Sequence, residues 1–195
     1  MSPIVDVGAI RAMLVSTRPV ASSSAEREAG VAMIFDSALD LLVIRRAEFA
    51  GDPWSGHLAF PGGRRESADS DTLATAVRET GEEVGLNLSE AEVLGALEEV
   101  RTVSGLPDLG VRPWVFYVSS FDGATTSGEA PELLRVPLST LLSGVGRSSF
   151  AYPWQGRSVT LPCVEIGQHR LWGMTLRMVD DLLHRLDGGG VGLGR

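Results

Sequence analysis

The feature that most constrains the fold of this 195-residue chain is the stretch between Phe60 and Leu86, where a Gly-Gly turn precedes a segment with a helical pattern. Core-facing positions in that segment recur three and four residues apart, which is the spacing of one face of an α-helix. Gly85 follows directly and can end a helix in the left-handed conformation. The pattern predicts an amphipathic helix packed on a core, with these core-facing positions: Leu73, Ala76, Val77, Thr80 and Val84.

Three glutamates lie beside the apolar stripe of this predicted helix. On a helical wheel, Glu79, Glu82 and Glu83 form one contiguous acidic patch. Glu79 and Glu83 repel each other by roughly a few tenths of a kcal/mol, and the negative end of the helix dipole disfavours both. Arg78 lies one turn from Glu82 but cannot neutralise three carboxylates. Because Mg²⁺ and Mn²⁺ prefer oxygen ligands, the patch predicts a divalent metal site, with a solvated acidic face as the alternative.

The spacing of the acidic patch and its neighbours resembles a known family motif. The Gly-Gly turn, the Arg-Glu pair at 78–79, the Glu pair at 82–83 and Gly85 match the Nudix box, G-x5-E-x7-R-E-U-x-E-E-x-G-U, in which U is aliphatic. Two positions differ. Thr80 occupies an aliphatic position, and Asp69 replaces the first Glu, with eight residues instead of seven before Arg78. An acidic residue with one extra spacer is similar to the coenzyme A pyrophosphatase-like branch of the family.

Segments outside the box extend this resemblance. Coenzyme A-cleaving members carry LLTxR, a spacer and R-x3-G-x3-F-P-G-G, and residues 41–45 and 56–63 are similar to these motifs. Asp52 stands where the second motif has its first Arg, so diphosphates other than coenzyme A stay open. Residues 128–138 resemble the family segment N-E-V-x-E-h-x-W-V-P-L, with h hydrophobic, and residues 171–175 resemble the same branch. The alignment makes Glu129 a candidate for an extra metal-site carboxylate, with a solvated loop glutamate as the alternative.

The resemblance implies a metal-dependent pyrophosphohydrolase. Such an enzyme uses water, activated by Mg²⁺ or Mn²⁺, to cleave the pyrophosphate bond of a nucleoside diphosphate linked to another moiety, with coenzyme A or its derivatives as the first candidates. Glu79, Glu82 and Glu83 would bind the metal. Arg78 would orient a glutamate, and a box glutamate or Glu129 would deprotonate the water. ADP-ribose, other nucleotide sugars, NADH and dinucleoside polyphosphates stay open as substrates, as does a catalytically idle module that binds nucleotides.

Four further residues are candidates for binding the substrate. Arg45 ends the LLTxR-like segment. Gly62 and Gly63 allow the chain to close around metals without obstruction by a Cβ atom. Trp54 lies in a loop rich in Gly and Pro, where it either stacks on a ring of the substrate or packs the loop onto the domain. His57 in the same region is expected to be a hydrogen-bonding residue rather than a base.

The order of the predicted elements indicates an α/β (α+β) fold. A mixed sheet with the box helix on one side and the C-terminal helix on the other is expected, in agreement with the α/β/α sandwich of the Nudix fold. The expected organisation is an N-terminal helix and linker (1–28), a Nudix hydrolase domain (29–187) and a flexible Gly-rich tail (188–195). The predicted elements are helices over 7–15, 138–142 and 176–186, hairpins over 30–45 and 150–166, strands over 92–100 and 113–118, and a loop over 101–112.

Composition and charge limit the classes of partner that the chain can bind. A hydrophobic content of 44% suits one domain with a sizeable core, and a net charge of −8 speaks against a nucleic-acid partner. The sequence contains no apolar run of membrane-spanning length and no signal peptide, so a cytoplasmic protein without a membrane partner is expected. The single Cys163 is expected to be a structural thiol. Many members of the family dimerise, so a homodimer stays open beside a monomer.

Overall fold

The computed structural model describes residues 5–15, 23–50, 54–103 and 105–188, which form four helices and eleven strands. None of the described helices has the length and apolar content needed to span a bilayer. The helices are α1 (Val7–Val15), α2 (Thr72–Val84), α3 (Leu138–Ser143) and α4 (Gly173–Leu186). The strands are β1 (Arg27–Phe35), β2 (Asp40–Arg45), β3 (Leu58–Ala59), β4 (Gly62–Arg64), β5 (Glu92–Ala96), β6 (Val100–Arg101), β7 (Leu109–Tyr117), β8 (Glu132–Pro137), β9 (Arg147–Trp154), β10 (Arg157–Ile166) and β11 (His169–Trp172).

The larger sheet is mixed and is organised around β1. This strand runs parallel to β7 along its whole length, from the pair Arg27 and Leu109 to the pair Phe35 and Tyr117. The other pairings in this sheet are antiparallel. The strand order is β3-β2-β1-β7-β5, and in addition β4 pairs with β1, β6 with β7 and β8 with β2. Because β1 is covered on both faces, its second half is a continuous buried apolar run rather than an alternating one.

Helices cover both faces of this sheet, so the predicted α/β/α sandwich is confirmed. Successive strand residues point to opposite faces. Met33 and Phe35 therefore join the core layer that contains α1 and α4, whereas Ile34 and Ile44 join the layer that contains α2. The helix predicted over residues 7–15 is present with those bounds. It contributes Ile10 and Leu14 to the first layer, so it packs with the domain from which the sequence prediction separated it.

The box helix has the predicted position and both of its ends are capped. The Asp71 side chain accepts a hydrogen bond from the backbone N–H of Ala74 at the start. Gly85 ends the helix in the left-handed region at φ 67°, as predicted. Thr80 is fully buried where the motif has an aliphatic residue, and its hydroxyl donates a 2.7 Å hydrogen bond to the Ala76 carbonyl. That bond lets a polar side chain occupy a core position.

A second, three-stranded sheet follows the main one in the chain, in the order β11-β10-β9. The hairpin of β9 and β10 was predicted, and its turn at Gln155 and Gly156 has positive φ at both residues. Strand β11 was missed, because four residues after a tight turn give little periodic signal. The hydroxyl of Thr175 in α4 donates to the Leu58 carbonyl in β3 and so joins the end of this unit to the main sheet.

Strands β3, β4 and β8 were also missed from the sequence. The other differences from the sequence prediction concern boundaries. The strand predicted over 92–100 is divided between β5 and β6, and β7 begins at Leu109, so the predicted loop over 101–112 narrows to residues 102–108. The linker expected up to residue 28 ends earlier, because β1 begins at Arg27. Asp52 and residues 189–195 of the predicted tail lie outside the described residues.

Candidate active site

The last turn of α2 places Glu83 in the interior of the protein. Its carboxylate accepts a 2.9 Å hydrogen bond from the backbone N–H of Gly62, and the residue is only 4% exposed. Burial is the main reason that the pKa of Glu83 is raised to about 7. The carboxylates of Glu79 and Glu129 raise this pKa further, whereas the Gly62 hydrogen bond and the charge of Arg46 lower it. Glu83 is therefore a buried acid near other acids, a position that an added positive charge would stabilise.

Glu79 lies one turn before Glu83 on the same side of α2. Its side chain is 16% exposed. Burial is the main cause of its raised pKa, and the charge of Arg78 opposes that rise. The backbone of Gly63 passes so close that a Cβ atom there would lie 2.3 Å from Oε1 of Glu79. A side chain at position 63 would therefore displace the Glu79 carboxylate.

The Gly-Gly turn brings the main chain to these two glutamates. Strand β4 pairs antiparallel with β1, so that Gly62 lies opposite Val31 and Gly63 opposite Gly30. Gly62 has a φ of 148°, and a Cβ atom on it would lie 2.4 Å from the Gly30 carbonyl oxygen. A residue other than glycine would separate the strands and withdraw the N–H that holds Glu83.

Arg78 is held in place by Asp69. Its Nε donates to Oδ1 at 3.0 Å and its Nη2 to Oδ2 at 2.9 Å. The remaining Nη1 lies 2.9 Å from Oε2 of Glu82 and 3.1 Å from Oε1 of Glu79. The hydrogen bond from Arg78 holds the pKa of Asp69 well below its ordinary range, and the same contact raises the pKa of Arg78. Asp69, known from the sequence only as a displaced acid, is therefore the anchor of the arginine that contacts Glu79.

Glu82 is the member of the predicted trio that stays at the rim. Its side chain is 60% exposed and contacts Arg78. The helical spacing turns it by about 60–100° from the other two glutamates around the axis of α2. Among residues 5–15, 23–50, 54–103 and 105–188, no three Asp, Glu, His or Cys side chains converge closely enough to form a metal site as they stand. The structure therefore brings together Glu79 and Glu83 but not Glu82.

Glu79 and Glu83 instead share a cleft of about 640 Å³ with Glu129, which also lines it. Glu129 precedes β8, and its carbonyl oxygen accepts a 2.8 Å hydrogen bond from the N–H of Ala47. That bond fixes the segment of Glu129 beside the chain that leaves β2. Gly62, Gly63 and Trp54 lie in the same lining. The cleft thus collects acids from two distant parts of the sequence.

The donor set of the cleft suits a hard divalent cation. Mg²⁺ and Mn²⁺ bind carboxylate oxygens and keep sites for water and phosphate oxygens. Burial raises the pKa values of Glu79 and Glu83, so their charged forms are disfavoured, and a bound cation would stabilise those forms. The residues present therefore fit Mg²⁺ or Mn²⁺ at Glu79 and Glu83, with Glu129 in the same lining and Glu82 at the rim.

Arg46 lines the cleft, whereas Arg45, the residue predicted to bind substrate, is not part of this lining. Arg45 is the last residue of β2 and forms an ion pair with Glu48. Successive side chains of an extended chain point to opposite sides, so one step in register decides which arginine faces the site. The sequence shows two adjacent arginines, but only the packing of β2 distinguishes them.

Two aromatic side chains of the loop before the box reach the cleft. Trp54 and His57 both line it. The His57 ring lies 4.4 Å from the ring of Trp172, measured between centroids. This contact shows why a role for His57 was difficult to assign from sequence, since its partner lies more than a hundred residues further along the chain.

Comparisons with known proteins agree with this geometry. A family model described as the NUDIX domain matches residues 25–142. The mitochondrial coenzyme A diphosphatase NUDT8 of Homo sapiens is 34% identical over 133 residues, which cover 67% of this chain and 56% of that protein. The Nudix hydrolase NudL of Photorhabdus laumondii is 30% identical over 138 residues, which cover 68% of this chain and 70% of that protein. The chain thus matches just over half the length of the human relative.

Solved structures resemble the fold. The MutT protein of Methanosarcina mazei has a TM-score of 0.56 at 17% identity, over 88% of this chain and 100% of that chain. The NUDIX domain of Shewanella oneidensis NrtR, solved with ADP ribose, has a TM-score of 0.54 at 16% identity, over 90% of this chain and 97% of that chain. At these identities the likeness concerns the arrangement of helices and strands.

Proposed function

The chain belongs to the Nudix family, and from that premise we propose that it hydrolyses the pyrophosphate bond of a nucleoside diphosphate linked to another group. The observation that carries this proposal is the pair of carboxylates of buried Glu83 and partly buried Glu79, in a cleft that Glu129 also lines. Burying carboxylates next to each other is unfavourable in a protein without bound cations. The arrangement is favourable when the cleft binds cations together with the phosphates that they accompany.

Glu79 and Glu83 would hold Mg²⁺ or Mn²⁺ in the active enzyme, whereas Glu82, which the sequence also predicts as a ligand, stays exposed beside them. A bound divalent cation supplies a more acidic water and neutralises charge on the phosphate oxygens. Gly62 fixes the Glu83 carboxylate through its N–H, and Arg78 fixes Glu79 at 3.1 Å. A carboxylate of the cleft, either Glu129 or a glutamate of α2, accepts the proton of the attacking water.

Coenzyme A or a derivative is the first substrate that we propose. The segments at 41–45 and 56–63 support it, as does the name of the human relative. ADP-ribose, other nucleotide sugars, NADH and dinucleoside polyphosphates are the alternative substrates, since Asp52 replaces an arginine of the coenzyme A motif. The alternative to an enzyme is a module that binds such a compound without cleaving it.

A panel assay tests the proposal. Purified protein is incubated with each compound and Mg²⁺ or Mn²⁺, and the products are identified by mass spectrometry. We expect two phosphate-containing fragments from at least one compound, and a loss of roughly 100-fold or more in kcat for Glu83→Gln. Glu90→Gln is the matched control, because Glu90 is an exposed acid five residues after Gly85, the C-cap of α2.

Two outcomes would contradict the proposal. One is full turnover by Glu83→Gln. The other is a rise in melting temperature with Mn²⁺ and ligand but no product from any compound, which identifies a binding module instead.

A further inference from the structure

A second cavity of about 450 Å³ adjoins the acidic cleft. The two share part of their walls, because Trp54, His57 and Met174 line both of them. A ligand with one part at the glutamates can therefore extend past these three side chains into the second cavity. We call this second cavity the aromatic pocket.

The walls of the aromatic pocket are built from rings and aliphatic side chains. Trp172 is at their centre, with ring centroids 4.4 Å from His57 and 4.9 Å from Tyr152. Val159 and Leu161 of β10 lie in the same lining. Large aromatic surfaces in a concave site bind apolar parts of ligands, because binding removes the apolar surfaces of both from water.

Charged side chains at the edge of the pocket are engaged by the protein itself. Arg177 donates a 3.0 Å hydrogen bond to the Arg101 carbonyl. Asp180 forms an ion pair with Arg147. The surface offered to a ligand is therefore mainly apolar, which distinguishes this pocket from the cleft of glutamates beside it.

Most of the pocket is formed by a part of the chain that the family model does not match. The model ends at residue 142, whereas β9, β10, β11 and α4 follow it. The β9–β10 hairpin lines the pocket through Tyr152, Val159 and Leu161, and Thr160, the one residue between the last two, is exposed. The second sheet thus adds an apolar wall to the cleft of the matched domain.

We propose that the aromatic pocket is a substrate subsite for an uncharged, apolar portion of the group attached to the diphosphate. This inference rests on the proposed function of the neighbouring cleft. It assigns the preference for an apolar group to β10, β11 and α4, and the handling of the diphosphate to α2 and the Gly-Gly turn.

Alkyl esters of adenosine 5′-diphosphate, from methyl to hexyl, test the inference because they differ only in apolar length. We expect kcat/KM to rise by roughly fourfold for each methylene buried in the pocket. Val159→Trp should fill the pocket and bring the hexyl-to-methyl ratio towards one. Thr160→Trp is the matched control, since Thr160 is the next residue of β10 and is exposed, and it should keep the wild-type ratio.

Binding gives a second readout that does not depend on hydrolysis. Three of the four tryptophans of the chain, Trp54, Trp154 and Trp172, line the pocket. Titration of metal-free protein with the hexyl ester should therefore change tryptophan fluorescence at lower concentration than titration with the methyl ester. Thr160→Trp should keep this difference and Val159→Trp should lose it.

The outcomes separate the two proposals. Hydrolysis of the esters with equal kcat/KM for methyl and hexyl, or a ratio that Val159→Trp leaves unchanged, overturns the subsite. Equal loss for all esters in Val159→Trp also overturns it, because the pocket would then bind the nucleoside half. If no compound is hydrolysed but the hexyl ester still binds more tightly, the proposed function fails while the subsite stands.

Discussion

Glu83 is the residue whose environment departs furthest from that of an ordinary surface glutamate. Its pKa is raised to about 7, from an ordinary value of 4.5, because burial removes water from its carboxylate. Such a group holds its proton in the folded protein over a pH range where the unfolded chain has lost it. A proton and a metal ion therefore compete for the same carboxylate in the folded protein.

We expect the metal-free protein to lose stability as the pH rises from about 4.5 to about 7. Glu83 binds more protons in the folded state than in the unfolded state over that range, so the free energy of unfolding falls as the pH rises. The effect is on the order of 3 kcal/mol. Urea unfolding in EDTA at several pH values measures it for the wild type and for Glu83→Gln, which cannot titrate. Parallel pH profiles for the two proteins would contradict the assignment.

Arg78 shows how a neighbouring residue sets the geometry of a functional one. Its guanidinium is fixed on one side by Asp69 at 2.9 and 3.0 Å, and its remaining nitrogen contacts Glu79. Planar two-point contacts of this kind fix direction as well as distance. The displaced acid of the motif thus retains a physical role despite its altered spacing.

At the scale of elements, the site depends on how closely β4 approaches α2. The Gly-Gly turn of β4 lies against both glutamates: Gly62 donates a hydrogen bond to Glu83, and a side chain at position 63 would displace the carboxylate of Glu79. A helix carrying the same acids without that strand would leave them in water. The pairing of β4 with β1 therefore places two acids of this helix, Glu79 and Glu83, in the lining of a cleft.

Gly63→Ala tests this approach. The added Cβ would lie 2.3 Å from Oε1 of Glu79, so the carboxylate must move. We expect kcat to fall by about tenfold or more, because a displacement near 1 Å at a reacting centre has a large effect. The measurement is steady-state hydrolysis of the best substrate in the panel.

Gly81→Ala is the matched control within α2. A Cβ atom at Gly81 would meet no atom within 4 Å. Alanine should stabilise the helix by about 0.5–1 kcal/mol and leave kcat unchanged. Wild-type activity in Gly63→Ala would show that Glu79 need not stay where the structure places it.

At the scale of the whole molecule, the first helix belongs to the same core as the Nudix domain. Ile10 and Leu14 of α1 are buried in the layer that contains α4. Leu14 also lies against β5, where a Cβ atom on Gly95 would come within 3.0 Å of it. The sequence boundary at residue 28 therefore separates segments that share one hydrophobic layer.

We expect Leu14→Ala to lower the free energy of unfolding by about 2–5 kcal/mol through the cavity that it creates. Val15→Ala is the control, because Val15 is 76% exposed and its change should be within about 0.5 kcal/mol. Urea unfolding of both variants provides the comparison. If both changes prove equally small, α1 contributes little to the stability of the domain.

The sequence by itself determined the elements whose signals are local. The spacing of core positions, the acids of the box and Gly85 fixed α2, its end and its acidic side, because each depends only on the 3.6-residue period and on glycine conformation. The hairpins and the C-terminal helix followed from the same kind of pattern. The layered sandwich followed from their order.

Only the tertiary structure decided which residues meet. Glu129 joins Glu79 and Glu83, Arg46 rather than Arg45 lines the cleft, and Glu82 stays exposed. The aromatic pocket likewise forms where β10, β11 and α4 adjoin a loop far earlier in the chain. These outcomes depend on strand register and on contacts between distant segments, where a shift of one residue reverses the direction of a side chain and leaves the local pattern unchanged.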